Sequence, residues 1–131
     1  MAETLEQLRK MEPGQYYYRP DELHVTVLSL WTGTPEPEPY FAQLPTYCRA
    51  IEKALAGACP FAIDFDGLTA SPAAVLVQGF SHGSALNALR DRLRGEIGAA
   101  GLGHTLDGRY RISAAHMTAV RFCRPLQDLR G

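Results

Sequence analysis

Two tripeptides carry the residue types best suited to chemistry: His24-Val25-Thr26 and His116-Met117-Thr118, with their histidines 92 positions apart. In a strand, residues two apart project from the same face. Each tripeptide then delivers an imidazole and a hydroxyl side by side, while Val25, Val27, Met117 and Ala119 turn the other way, toward a core. Such a set suits phosphodiester chemistry. A neutral imidazole takes a proton from water or a hydroxyl nucleophile, and a protonated one returns a proton to the departing oxygen. Histidine serves both roles because its ordinary pKa of about 6.5 lies close to working pH. The threonine hydroxyls can donate hydrogen bonds to non-bridging phosphate oxygens as charge shifts onto them.

Arginine is unevenly placed around these motifs. Residues 1–89 hold 5 Lys/Arg and 10 Asp/Glu, whereas residues 90–131 hold 8 Arg and 4 Asp/Glu. Arg109, Arg111 and Arg121 flank the second motif, and guanidinium suits bidentate contact with phosphate. Arg109 and Arg111 are candidates for a second phosphate of an oligonucleotide. Arg90, Arg92 and Arg94 read as the solvated face of a helix. The total charge of −1 argues against non-specific coating of nucleic acid. Among the aromatic residues, Tyr18 and Trp31 neighbour the first motif and are the candidates for stacking on a base. His82 and His104 read as loop residues, and neither has a carboxylate or cysteine at a metal-binding spacing. No metal or cofactor is expected.

The elements that must position these residues follow from periodicity. Leu5, Leu8 and Met11 mark a first helix, ended by Pro13-Gly14. Gln15–Arg19 reads as a strand or an extended arm, and Leu23–Trp31 as a strand. A helix follows the Gly/Pro/Glu loop 32–39 and reaches Ala56, with Phe41, Leu44, Tyr47, Cys48, Ile51 and Leu55 on one face; Pro45 implies a late start or a kink. Phe61–Phe65 and Ala73–Phe80 are strand candidates joined by a turn over 66–72. Ser84 caps a helix carrying Leu86, Leu89, Leu93 and Ile97. Tyr110–Phe122 is the last strand, with a break near Ser113, and Arg124–Gly131 begins a helix with no room to finish. The order predicts an α+β fold with an antiparallel sheet in a single domain spanning residues 1–131. Neither a linker nor a short-period repeat interrupts it.

The three cysteines, Cys48, Cys59 and Cys123, show no paired spacing. They read as reduced thiols, and the apolar neighbours of Cys48 and Cys123 suggest packing. No apolar stretch approaches the roughly 20 residues of a membrane span, and the acidic N-terminus is unlike a secretory signal. A cytoplasmic location is expected.

With these residues in hand, the sequence resembles the 2H phosphoesterases, named for two His-x-Ser/Thr motifs and including 2′-5′ RNA ligase-like proteins and cyclic nucleotide phosphodiesterases. The resemblance rests on His24-Val25-Thr26-Val27-Leu28, the span Phe61–Phe80, the helix with Leu86-Asn87-Ala88-Leu89-Arg90, and Ala115-His116-Met117-Thr118-Ala119-Val120-Arg121-Phe122. It implies a bilobal, pseudo-symmetric α+β fold with His24 and His116 as the acid/base pair and Thr26 and Thr118 as phosphate binders. It also implies a nucleotide or RNA-end substrate and hydrolysis of a 2′,3′-cyclic phosphate or an RNA-terminal or 2′-5′ phosphodiester. A non-catalytic module that holds a nucleotide or RNA end is the alternative. Only 13 residues follow Thr118, where such proteins continue further. The shortened closing lobe is then completed by the N-terminal segment, by a second copy in a homodimer, or not at all.

Overall fold

The computed structural model describes residues 2–108 and 111–126. Its elements are helix α1 (Ala2–Met11), strand β1 (Tyr16–Tyr17), a 3₁₀ turn (Pro20–Glu22), α2 (Glu38–Phe41), α3 (Leu44–Leu55), β2 (Ile63–Ser71), β3 (Ala74–Ser81), α4 (Ala85–Ala99), a second 3₁₀ turn (Gly103–Thr105) and β4 (Ala115–Arg121). The class is α+β, with one four-stranded sheet ordered β1-β4-β3-β2 and antiparallel at its β1/β4 and β4/β3 junctions. The chain divides into two compact units. One comprises residues 1–26, 63–80 and 114–131, and the other residues 27–62 and 81–113.

The first unit is built on the sheet. Val75, Val77, Ala119 and Val120 form its buried core, and Leu5 and Leu8 of α1 pack against it with Tyr17, Phe65, Leu68, Met117 and Phe122. This is the stripe that the spacing of Leu5 and Leu8 predicts, though Met11 is exposed. The expected strand pair 61–80 is present, but β2 runs on to Ser71, leaving only residues 72–73 as the turn. Among the described residues β2 is an edge strand of the sheet, and its Asp64, Asp66 and Thr69 are exposed. Gln15 fixes the end of β4 to the chain before β1. Its side-chain oxygen accepts from the Cys123 and Arg124 amides, at 2.9 and 3.2 Å.

The second unit packs α3 on α4. Tyr47, Ala50, Ala54, Leu93, Ile97 and Leu102 are buried together. Pro45 stands in the first turn of α3, resolving the predicted alternatives as a late start. Of the expected apolar face, Tyr47 is buried and Ile51 packs against the core, but Phe41, Leu44 and Leu55 are exposed, and Ala50 and Ala54 are buried in their place. Two alanines one helical turn apart give a smooth contact line on which Leu93 and Ile97 pack. Cys48 and Cys123, expected in packed positions, are exposed, as is Cys59.

One element expected from sequence does not form. Residues 23–29 are not a strand, although Leu23–Trp31 has the composition of one. Val27, Leu28 and Leu30 all pack against the second unit's core, and that spacing breaks the strict alternation of a strand. The last strand begins only at Ala115, later than its composition suggests, and Tyr110 lies outside the described residues. Beyond it, Arg124–Leu126 are not helical, and the rest of the predicted terminal helix also lies outside the described residues.

Candidate functional site

β4 carries the second motif at the centre of the sheet, between β1 and β3. His116 stands opposite Gln78, Met117 opposite Val77 and Thr118 opposite Leu76. Met117 packs into the core, so His116 and Thr118 share the other face, both half-buried. Immediately beyond, Val75 faces Val120 while Leu76 faces Thr118, which leaves Ala119 as the extra residue of a β-bulge. The bulge lets Ala119 and Val120 both enter the core. It thereby anchors the strand directly after Thr118. At the opposite end, Gly79 faces Ala115, and a Cβ added there would stand 2.9 Å from a Phe65 ring carbon and 3.0 Å from the Ala115 methyl. Only glycine permits so close an approach next to His116.

The first motif is positioned by a turn rather than a strand. β1 pairs Tyr16 with Arg121 and Tyr17 with Val120, and the Tyr18 amide then donates to the Ala119 carbonyl at 3.0 Å. The chain leaves β4 there and enters the Pro20–Glu22 turn, where proline sits at the first helical position. The Glu22 carboxylate closes that turn. One oxygen accepts from the Arg19 amide at 2.8 Å and the other from the Tyr16 hydroxyl at 2.5 Å. The Tyr16 hydrogen bond, followed by that of the Arg19 amide, holds the Glu22 carboxyl below its ordinary range. The same bond raises the Tyr16 hydroxyl.

The His24 ring is fixed by this turn. Its Nδ1 lies 2.8 Å from the Glu22 carbonyl oxygen. A carbonyl can only accept, so Nδ1 carries the hydrogen and donates. The neutral ring then presents a lone pair at Nε2, free to take a proton, and the protonated ring presents an Nε2 hydrogen to give one. His24 and Thr26 are exposed, and all four motif residues belong to the first unit.

The other candidates fare differently. Tyr18 stays close, with its ring edge-on to Tyr16 at 5.1 Å between centroids. Trp31 belongs to the second unit, stacked on Tyr40 at 5.2 Å and tilted against Tyr47, so its contacts are those of a packing residue. Arg111 also belongs to the second unit and pairs with Asp91 at 2.9 Å in an exposed ion pair. Arg121 is exposed at the end of β4. Arg109 lies outside the described residues. Among the described residues, no group of three or more His, Cys, Asp or Glu side chains could hold a metal ion, and no helix is long and apolar enough to cross a membrane.

Sequence reasoning missed two features. Glu22 and Tyr16 act only through a turn that no periodicity announces. The three helix arginines read as solvated are all engaged with protein. Arg92 donates to the Ala54 and Ala56 carbonyls. Arg94 forks onto Asp107 and donates to the Ile112 carbonyl at 3.0 Å. Arg90 is fully buried. A signal for Arg90 was present, since Leu86, Arg90, Leu93 and Ile97 fall on one helical stripe.

Comparison with known proteins agrees with this architecture. The crystal structure of TT0787 of Thermus thermophilus superposes with a TM-score of 0.60 at 22% identity, covering 97% of this chain and 70% of that one. This is a likeness of fold. No curated protein matches the sequence. The sequence profile of the 2′-5′ RNA ligase superfamily matches residues 1–128. The chain therefore belongs to the 2′-5′ RNA ligase superfamily, and with it to the 2H phosphoesterases that its two His-x-Thr motifs resemble.

Proposed function

We propose that this protein is a metal-independent phosphodiesterase that hydrolyses a 2′,3′-cyclic phosphate or an RNA-terminal or 2′-5′ phosphodiester. The observation that carries this reading is the anchored His24 ring. Its Nδ1 is committed to the Glu22 carbonyl, so Nε2 is the atom available for proton transfer. The second His-Thr pair stands on β4 of the same compact unit. Membership of the superfamily supports phosphoesterase or ligase-like chemistry.

In the proposed step, one imidazole accepts a proton from water as the water oxygen bonds to phosphorus. The other, protonated, gives its proton to the ribose oxygen as that P–O bond breaks. A phosphomonoester and a free hydroxyl result, and the histidine pair has exchanged protonation states. In this reading Thr26 and Thr118 donate to the non-bridging oxygens and Tyr18 borders a base.

A product assay tests this. 2′,3′-Cyclic mononucleotides, ADP-ribose cyclic phosphate and 2′-5′-linked dinucleotides are offered side by side in EDTA. At least one is expected to be hydrolysed, and H24A and H116A should each lose roughly 10²–10⁴-fold in turnover. Full activity in either variant contradicts the assignment. Tight binding of a nucleotide without product would make the fold a binding module instead.

A further inference from the structure

Arg90 lies on the buried stripe of α4, in line with Leu86, Leu93 and Ile97, and is 0% exposed. An apolar side chain would fill that position at no electrostatic cost, whereas a buried guanidinium is strongly destabilising unless its donors are met. Arg90 meets them with backbone. Its Nε donates to the Val27 carbonyl at 2.7 Å and one terminal nitrogen to the Ser113 carbonyl at 2.9 Å. That same nitrogen reaches the Asn87 side-chain oxygen at 3.2 Å. Neither Val27 nor Ser113 lies in a strand or helix, so no ladder partner serves their carbonyls.

Those two carbonyls have a common meaning. Val27 directly follows Thr26, the last residue of the first motif, and Ser113 comes three residues before His116. They also stand at two of the four places where the chain crosses between the two compact units, at 26–27 and at 113–114. A single planar guanidinium thus grips the chain just beyond one motif and just ahead of the other. Its donors sit in a fixed fork, so the two carbonyls are held at one spacing.

We propose that Arg90 is a positioning residue that sets the register of the two His-x-Thr segments through the Val27 and Ser113 carbonyls. The catalytic part of this inference rests on the phosphodiesterase reading, but the positioning part does not. Lysine in its place keeps the charge but offers a single ammonium that cannot span both carbonyls with the same fork. Each segment then loses its hold at the Val27 or Ser113 end, while the β1/β4 and β3/β4 pairings remain.

The test compares R90K and R90M with R92M. Arg92 also donates from α4 to backbone carbonyls, but at the end of α3. The first readout is the imidazole nitrogen spectrum. Wild type and R92M are expected to show His24 protonated at Nδ1, with His116 signals unchanged between them. R90K should shift both His24 and His116 and reduce the Nδ1-protonated signature. The second readout, with a 2′,3′-cyclic mononucleotide as probe, is a fall in kcat of about 10²-fold with KM little changed, the size that misplacement of about 1 Å produces. Should R90M fail to fold, R90K decides alone, because it retains the charge. Wild-type histidine signals in folded R90K overturn the proposal. Loss of wild-type turnover on every probe would contradict the phosphodiesterase reading, while the imidazole spectra would still decide the role of Arg90.

Discussion

At the scale of single residues, the His24 ring depends on the turn that holds its Nδ1, and that turn depends on Glu22. E22A removes the acceptor for both the Arg19 amide and the Tyr16 hydroxyl. Turnover is expected to fall by about 10- to 100-fold through misplacement of the ring, and the Nδ1-protonated signature of His24 should weaken while His116 is undisturbed. That pattern separates Glu22 from Arg90, whose replacement moves both rings. The pH dependence has a definite sign. The folded-state carboxyl of Glu22 is held below its ordinary value, chiefly by Tyr16. Its contribution is therefore complete above the unfolded pKa of about 4.3 and is lost as pH falls through the lower folded value. Acid unfolding of Y16F beside wild type checks this, since without the Tyr16 hydroxyl the loss should begin at higher pH. An unchanged His24 spectrum in E22A would contradict the role given to the turn. Of these residues, the motif histidines and threonines were legible from type and spacing alone. Glu22 was not, because its carboxylate acts on a neighbouring backbone amide and a hydroxyl six residues back, a relation without a hydrophobic pattern.

At the scale of elements, α4 controls the segment that leads into β4. Arg94 forks onto Asp107 at 2.7 and 3.4 Å and also donates to the Ile112 carbonyl. Asp107 occupies the left-handed region at φ 52°, a conformation that aspartate tolerates better than most residues. Both side chains are largely buried, at 14% and 17% exposure. D107N keeps the backbone preference and removes the charge, and is expected to cost about 1–3 kcal/mol, the loss of a charge-assisted bond in a mostly buried setting. The Arg94 hydrogen bond holds the Asp107 carboxyl below its ordinary range. Its stabilisation is thus present above an unfolded pKa of about 3.9 and fades as pH falls through the lower folded value. Urea unfolding at pH 7 and pH 3 checks both points: the gap between wild type and D107N should narrow at the lower pH. The exposed Arg111–Asp91 pair has no such weight, since exposed pairs contribute about 0–1 kcal/mol. The helices and β3/β4 were readable because their apolar spacing matches what they bury. A strand over 23–29 is wrong because the β-branched and bulky residues there serve a helix-lined core, not a ladder. The expected face of α3 holds at Tyr47 and Ile51 but fails at Leu55, because Ala50 and Ala54 meet α4 instead.

At the scale of the whole molecule, the chain interleaves two compact units, and the four motif residues fall in the same one. Sequence order alone suggests a motif early and a motif late; the β1/β4 pairing brings the segment before His24 onto the strand that bears His116. That closure was not legible, because β1 is two residues long and has no alternation to detect. Of the four chain crossings between the units, the two that adjoin the motifs are gripped on their second-unit side by Arg90. The central claim is that two histidines of opposite protonation act on one phosphodiester. It is tested most directly by the pH dependence of kcat/KM for the hydrolysed substrate, measured in EDTA. A bell with one ascending and one descending limb is predicted, reporting one base and one acid in the free enzyme. A rate that rises or falls monotonically from about pH 5 to 9, or that disappears with EDTA, would contradict the account.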